Sequence, residues 1–69
     1  MDYFEKITEL IENVSNLDIN KIEKVILLKS IRNKLLDFNK QDLQKILMIE
    51  GIFLLKITEL EIQNEKEKI

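Results

Sequence analysis

The stretch that decides the fold is residues 40–64, KQDLQKILMIEGIFLLKITELEIQN. Gly51 is its one strong helix breaker, so it predicts a single helix of about 24 residues and about 36 Å. When the residues are placed at about 100° per position, the apolar side chains fall on two faces of this helix. A helix that is apolar on two faces must be covered on both, and this requirement shapes the rest of the prediction.

One of these faces is expected to pack against the rest of the chain. This main stripe consists of Leu43, Ile46, Leu47, Phe53, Leu54, Ile57 and Leu60. A second strip lies on nearly the opposite side and consists of Met48, Ile52, Leu55 and Ile62. Two shorter helices can cover only one side well, so the second strip is predicted to be a surface for assembly or for a partner.

Two shorter helices are predicted before this segment. Residues 2–14 carry one narrow apolar stripe, which is typical of an amphipathic helix packed on a core. Its members are Tyr3, Phe4, Ile7, Leu10, Ile11 and Val14. Residues 19–36 predict the second helix, with a main stripe of Val25, Leu28, Ile31 and Leu35.

Short polar clusters separate the three predicted helices. Ser, Asn and Asp side chains compete for backbone hydrogen bonds, so they favour turns and helix caps. Asp18 is the predicted N-cap of the second helix. Asn39 is the predicted N-cap of the third, with Asp42 as the acidic partner in its first turn.

The length and composition predict one all-α domain, made of a short first helix packed on a long antiparallel hairpin. At 69 residues without cysteine or histidine, the chain has neither disulfides nor imidazole metal ligands to support a small core. Stability must therefore come from long helices or from assembly. We expect a two-fold homodimer in which two hairpins form a helical bundle, while the charged tail, residues 65–69, frays.

The residue types argue against an enzyme. Ser15 and Ser30 have no histidine or cysteine partner, and one glycine cannot form a phosphate-binding loop. The acidic residues at 5, 9 and 12 share one helical face, but a solvated surface is the simpler interpretation. We predict no catalytic residue, no metal and no cofactor.

A basic middle segment leaves nucleic-acid binding open as an alternative. Residues 20–45 carry a net charge of +4, whereas residues 1–19 carry −4 and the whole chain −2. The candidate contacts are Lys21, Lys24, Lys29, Arg32, Lys34, Lys40 and Lys45. These residues circle the second helix, and the single arginine and acidic net charge disfavour a phosphate backbone. A basic second helix packed beside an acidic first helix is the plainer explanation of the pattern.

Glu50 stands out because it falls within the predicted main stripe of the third helix. A buried carboxylate is costly unless it is paired or near water. In an antiparallel hairpin, Lys24 or Arg32 could reach it. Glu50 is therefore a candidate buried charge that sets register or partner choice, as polar residues in helical seams do. The alternative is that the face is misassigned and Glu50 lies at the edge of the core.

The function predicted from the sequence is a small non-enzymatic regulator or adaptor that works through helix-mediated self-association or contact with a larger protein. The alternative is a dimeric regulator that binds DNA or RNA. No segment is predicted to enter a membrane, and a cytoplasmic location is expected. Alanine is absent while Ile, Lys and Asn are abundant, which indicates an AT-rich genome, such as that of a low-GC bacterium, its phages or plasmids.

Overall fold

Three helices make up the fold in a computed structural model that describes residues 2–67. They are α1 (Tyr3–Ser15), α2 (Lys21–Phe38) and α3 (Leu43–Glu67), and the described residues form no strand. The prediction of an all-α chain with three helices is confirmed. Each helix starts one to three residues later than predicted, and α3 continues through residues 65–67 of the tail. The predicted fraying of residues 68 and 69 lies outside the described residues.

The helix starts are set by side-chain caps, and two of the predicted caps are wrong. Asp2 Oδ1 accepts the backbone N–H three residues on at 2.8 Å, and Asn20 Oδ1 does the same at 2.8 Å. Asp42 Oδ1 accepts the equivalent N–H of α3 at 3.2 Å. Asn20 therefore replaces Asp18, and Asp42 replaces Asn39. In both turns, the N-cap is the residue immediately before the first helical residue.

Asn39 closes the end of α2 instead of starting α3. Its backbone N–H donates to the Leu35 carbonyl at 3.0 Å, and its side-chain Nδ2 donates to the same oxygen at 2.8 Å. Nδ2 also donates to the Tyr3 hydroxyl at 2.8 Å. The Lys45 ammonium lies 4.8 Å from the centre of the Tyr3 ring. The start of α1 is thus held by these contacts against the turn between α2 and α3.

The helices run as a hairpin with α1 laid along one side. Lys21 at the start of α2 forms an ion pair with Glu67 at the end of α3, so these two helices are antiparallel. The end of α1 lies near the start of α2, because Lys24 Nζ donates to the Ser15 carbonyl at 2.5 Å. With Tyr3 beside Asn39, α1 is antiparallel to α2 and parallel to α3. This is the predicted arrangement of helices.

The core gathers side chains from all three helices. Its eight buried members are Ile7, Ile11, Val14, Leu28, Ile49, Phe53, Ile57 and Leu60. Phe53, Leu28 and Ile49 are fully shielded from solvent, and each stabilises the fold by about 1.5–3 kcal/mol. The α1 members are spaced as one stripe, at positions 7, 11 and 14, as predicted for an amphipathic helix.

The predicted main stripe of α3 is confirmed in part: Phe53, Ile57 and Leu60 are buried, but the buried face is rotated away from the rest of the stripe. Ile49, which was in neither predicted strip, is fully buried, whereas Leu43, Leu47 and Leu54 of the main stripe are exposed. The core face is centred on positions 49, 53, 57 and 60, of which only 49 lies outside the predicted main stripe. The helix is apolar around most of its circumference, so periodicity alone does not fix its rotation. The packing of α1 and α2 does.

Candidate interaction surface

One face of the α2–α3 hairpin is not covered by α1. Two grooves run between α2 and α3 there, and the described residues that line them come from those two helices alone. One groove holds Arg32, Leu36, Glu50 and Leu54, at the level where α1 packs on the opposite side. The other groove lies between the same sides of α2 and α3, nearer the end of the hairpin where α2 begins and α3 ends. We call this surface the hairpin face.

The hairpin face follows a heptad spacing on both helices. On α2 it comprises Ile22, Val25, Lys29, Arg32 and Leu36, with Ile26 beside them. On α3 the grooves are lined by Glu50, Leu54, Glu61 and Glu65. At about 100° per residue, Leu43 and Leu47 fall on the same side of α3 and are included in the face. Steps of three and four residues, or of a full heptad as between Leu54 and Glu61, keep side chains on one stripe, as in helices that pair along a seam. The hairpin therefore exposes two such stripes side by side, one on α2 and one on α3.

Large apolar side chains on this face are exposed. Ile26 is 63% exposed, and Leu47 and Leu54 are each 61% exposed. Isolated apolar residues are normal on a protein surface, whereas a contiguous group marks an interaction site. Among residues 2–67, ten large apolar side chains are exposed and eight are buried, so the fold leaves much of its apolar surface unused.

The charges of the hairpin face are divided between its two helices. Lys21, Lys29 and Arg32 lie on the α2 half. Glu50, Glu61 and Glu65 lie on the α3 half. The face therefore has a basic edge and an acidic edge, with apolar residues between and beside them.

Glu50 is exposed, so its predicted burial is wrong and the alternative of a misassigned face is correct. Arg32, one of its two predicted partners, lines the same groove, while its guanidinium donates to Asn33 Oδ1 at 3.4 Å. Lys24, the other predicted partner, is turned to the Ser15 carbonyl. Glu50 sits in the seam of the hairpin face, where a carboxylate can stay hydrated.

The four residues of the predicted second strip differ in how exposed they are. Met48 and Ile52 are half-buried and pack against the core, whereas Leu55 is 75% and Ile62 51% exposed. Leu55 and Ile52 line a separate groove between α1 and α3, together with Phe4. A role for this strip in assembly stays a prediction, with Leu55 and Ile62 as its accessible members.

The sequence interpretation missed the residues of the hairpin face itself. The sequence assigns Leu47 and Leu54 to the core, and Ile22 and Ile26 are not in the predicted main stripe of the second helix. The available signal was the spacing of Ile22, Val25 and Leu36, which share one heptad stripe with Lys29 and Arg32. It was hidden because a second apolar stripe on the same helix, containing the buried Leu28, meets the core.

The seven basic residues of the nucleic-acid alternative are not gathered on one surface. Lys21 pairs with Glu67, and Lys24 binds the Ser15 carbonyl. Lys45 lies over the Tyr3 ring, and its ammonium is 3.9 Å from Asp42 Oδ2. Of the other four, Lys29 and Arg32 lie on the hairpin face. Lys34 lies about 200° around α2 from Arg32, and Lys40 lies in the turn.

The remaining chemistry of the surface is sparse. Within residues 2–67, no group of three or more acidic side chains comes together in a way that could hold a metal ion. The same part of the chain contains no helix long and apolar enough to cross a membrane. Comparison of the chain with protein-family models, curated proteins and solved structures finds no match.

Proposed function

We propose that this protein is a small non-enzymatic regulator or adaptor that acts by self-association and by helix-face contact with a larger protein. The observation that carries the proposal is the hairpin face, where apolar side chains of both helices are exposed at steps of four or seven residues. They are Ile22 and Ile26 on α2, and Leu43, Leu47 and Leu54 on α3. A partner helix or hairpin is the natural complement of such a surface. The lack of cysteine supports a cytoplasmic setting.

The energetic reason for association is the balance between buried and exposed apolar surface. Each large apolar side chain that becomes fully buried contributes about 1.5–3 kcal/mol. Ile22, Ile26, Leu47 and Leu54 are all at least half exposed on the hairpin face. A chain of 69 residues gains a large fraction of its stability if a partner covers them.

Adjacent residues of α3 provide a matched test. Leu54 and Leu55 are 61% and 75% exposed, but only Leu54 lies on the hairpin face, because one helical step separates them by about 100°. We expect light scattering to give a dimer mass for the native protein and for Leu55→Glu. Leu54→Glu should be a folded monomer by light scattering and circular dichroism.

A native protein that stays monomeric at micromolar and higher concentrations would exclude self-association. Loss of the dimer in Leu55→Glu but not in Leu54→Glu would move the interface to the groove between α1 and α3.

Nucleic-acid binding has less support from the arrangement of charges. The basic residues are dispersed or engaged with other groups, and the net charge is −2. We expect no mobility shift of duplex DNA or RNA at low salt, where a phosphate-binding protein would bind most tightly. A shift that weakens steeply as salt increases would favour the alternative instead.

A further inference from the structure

We infer that two copies of this chain pair through their hairpin faces about a two-fold axis parallel to the helices, so that α2 of each copy packs on α3 of the other. The inference rests on the proposed self-association and specifies its geometry. The occupant of the hairpin face is thus a second copy of the chain. Arg32 and Glu50 determine how the two copies align.

Two symmetric arrangements can bring these faces together with their helices aligned. If the two-fold axis is perpendicular to the helices, α2 packs on the partner's α2 and α3 on the partner's α3. If the axis is parallel to the helices, α2 packs on the partner's α3. Both arrangements bury the same apolar residues, so apolar contact alone does not choose between them.

The division of charge chooses between the two arrangements. The α2 half of the face carries Lys29 and Arg32, and the α3 half carries Glu50 and Glu61. With the perpendicular axis, the basic α2 halves of the two copies face each other, and so do the acidic α3 halves. Such like-charge contacts are unfavourable between closely packed helices. The parallel axis sets each basic edge against an acidic edge. Charge complementarity therefore selects the parallel axis.

The levels of these residues along the hairpin also match. Arg32 and Glu50 line one groove, so they lie at nearly the same height. The Lys21–Glu67 ion pair sets Lys29 about level with residue 59, two residues from Glu61, and both Lys29 and Glu61 line the other groove. Rotation about an axis parallel to the helices preserves height, so Arg32 comes within reach of the partner's Glu50 and Lys29 within reach of the partner's Glu61. Symmetry makes each contact twice.

The resulting assembly is a four-helix bundle. In it each helix is antiparallel to both of its neighbours, an arrangement common in such bundles. Leu47 and Leu54 enter the new core, and the two α1 helices flank the bundle on its outer sides. Glu50 and Arg32 then fix the register between copies, as charged residues at helical seams do.

Charge reversal followed by mixing tests this geometry. Arg32→Glu sets two carboxylates against each other at both symmetric contacts, and Glu50→Arg does the same with two cations. We expect each variant alone to dimerise at least about tenfold more weakly than the native protein in sedimentation measurements. An equimolar mixture of the two should recover near-native dimerisation, because every contact between copies is then oppositely charged.

The mixture separates contacts between copies from contacts within one copy. Each variant chain keeps its own altered groove in the mixture, so recovery can come only from the partner. Lys34→Glu and Glu9→Arg are controls that make the same charge changes at exposed positions outside the hairpin face. Both should dimerise like the native protein.

The possible results distinguish failure of the geometry from failure of the proposed function. A native dimer whose single variants match the controls, or whose mixture shows no recovery, would overturn the geometry and leave self-association standing. A native protein that is monomeric at all concentrations would overturn both.

Discussion

Thr8 is a residue whose environment predicts an improvement in stability. Its hydroxyl oxygen is shielded from solvent and has no hydrogen-bond partner among the described residues. A buried polar group without a partner costs about 1–3 kcal/mol. Thr8→Val keeps the branched shape and removes this polar atom, so we expect the free energy of unfolding to rise by about 1 kcal/mol.

Urea denaturation followed by circular dichroism measures the change in Thr8→Val. Thr58 is exposed on α3, so Thr58→Val is the matched control and should leave stability nearly unchanged. Equal effects of the two substitutions would mean that the Thr8 hydroxyl carries no penalty.

Asn39 is expected to be the polar side chain most important for stability. Its Nδ2 donates to the Leu35 carbonyl and to the Tyr3 hydroxyl, so Asn39→Ala loses both bonds. We expect a loss of about 1–2 kcal/mol in the free energy of unfolding. Tyr3→Phe removes only one of the bonds and should cost about half as much. A larger loss in Tyr3→Phe than in Asn39→Ala would contradict this assignment.

Single residues also show how far the sequence could be interpreted. Clusters of Ser, Asn and Asp correctly marked both turns, because these side chains satisfy free backbone groups. They did not identify which member caps, since Asp18 and Asn20 lie two residues apart and either could serve. Which of the two residues caps depends on where tertiary packing lets the helix begin, and the local sequence does not contain that information.

At the scale of the helices, α3 marks the limit of prediction. Its existence, length and two-faced apolar character were predictable, because they follow from composition and the lack of breakers. Its rotation was not, since Leu47 and Leu54 are as apolar as Ile49 and Phe53. Only the shape of the core made with α1 and α2 separates the buried pair from the exposed pair.

Gly51 offers a test of α3 as an isolated element. A Cβ atom added there would meet nothing within 4 Å apart from its chain neighbours and the nearby backbone of α3, so neither close packing nor backbone conformation requires glycine. We expect Gly51→Ala to raise the free energy of unfolding by about 1 kcal/mol, because glycine is unfavourable inside a helix.

Thermal unfolding at a concentration where the protein is monomeric measures the Gly51→Ala effect without any contribution from assembly. A lower midpoint temperature under those conditions would show that α3 needs a bend at this position. Weaker dimerisation of a more stable chain would instead show that a second copy approaches Gly51 closely.

For the whole molecule, stability and assembly should be coupled. A core of eight side chains is small, and the exposed apolar residues offer a second core on association. We expect the midpoint of thermal unfolding to rise with protein concentration, as it does whenever the folded state binds a partner. Leu54→Glu should remove this dependence. A midpoint unaffected by concentration in the native protein would contradict the coupling.

The packing of the three helices was also predictable in outline. One narrow stripe on the first helix and two long apolar helices permit few arrangements other than a hairpin with a short helix against it. An uncovered apolar face on α3 is predictable in principle, and the sequence places it at Met48, Ile52, Leu55 and Ile62, which stays a prediction. The hairpin face is not predicted, because Leu43, Leu47 and Leu54 are assigned to the core from the sequence. The heptad spacing on α2 can be assigned to an exposed face only after the structure shows that Leu28 lies on the buried one.

The contact between Tyr3 and Asn39 also gives the molecule a built-in optical probe. Tyr3 is the only tyrosine and the chain has no tryptophan, so ultraviolet fluorescence comes chiefly from the place where α1 meets the hairpin turn. Circular dichroism, in contrast, reports on all three helices together. If α1 detaches before the hairpin melts, the emission will change at a lower temperature than the helical signal. The order of unfolding can therefore be measured without attaching a label.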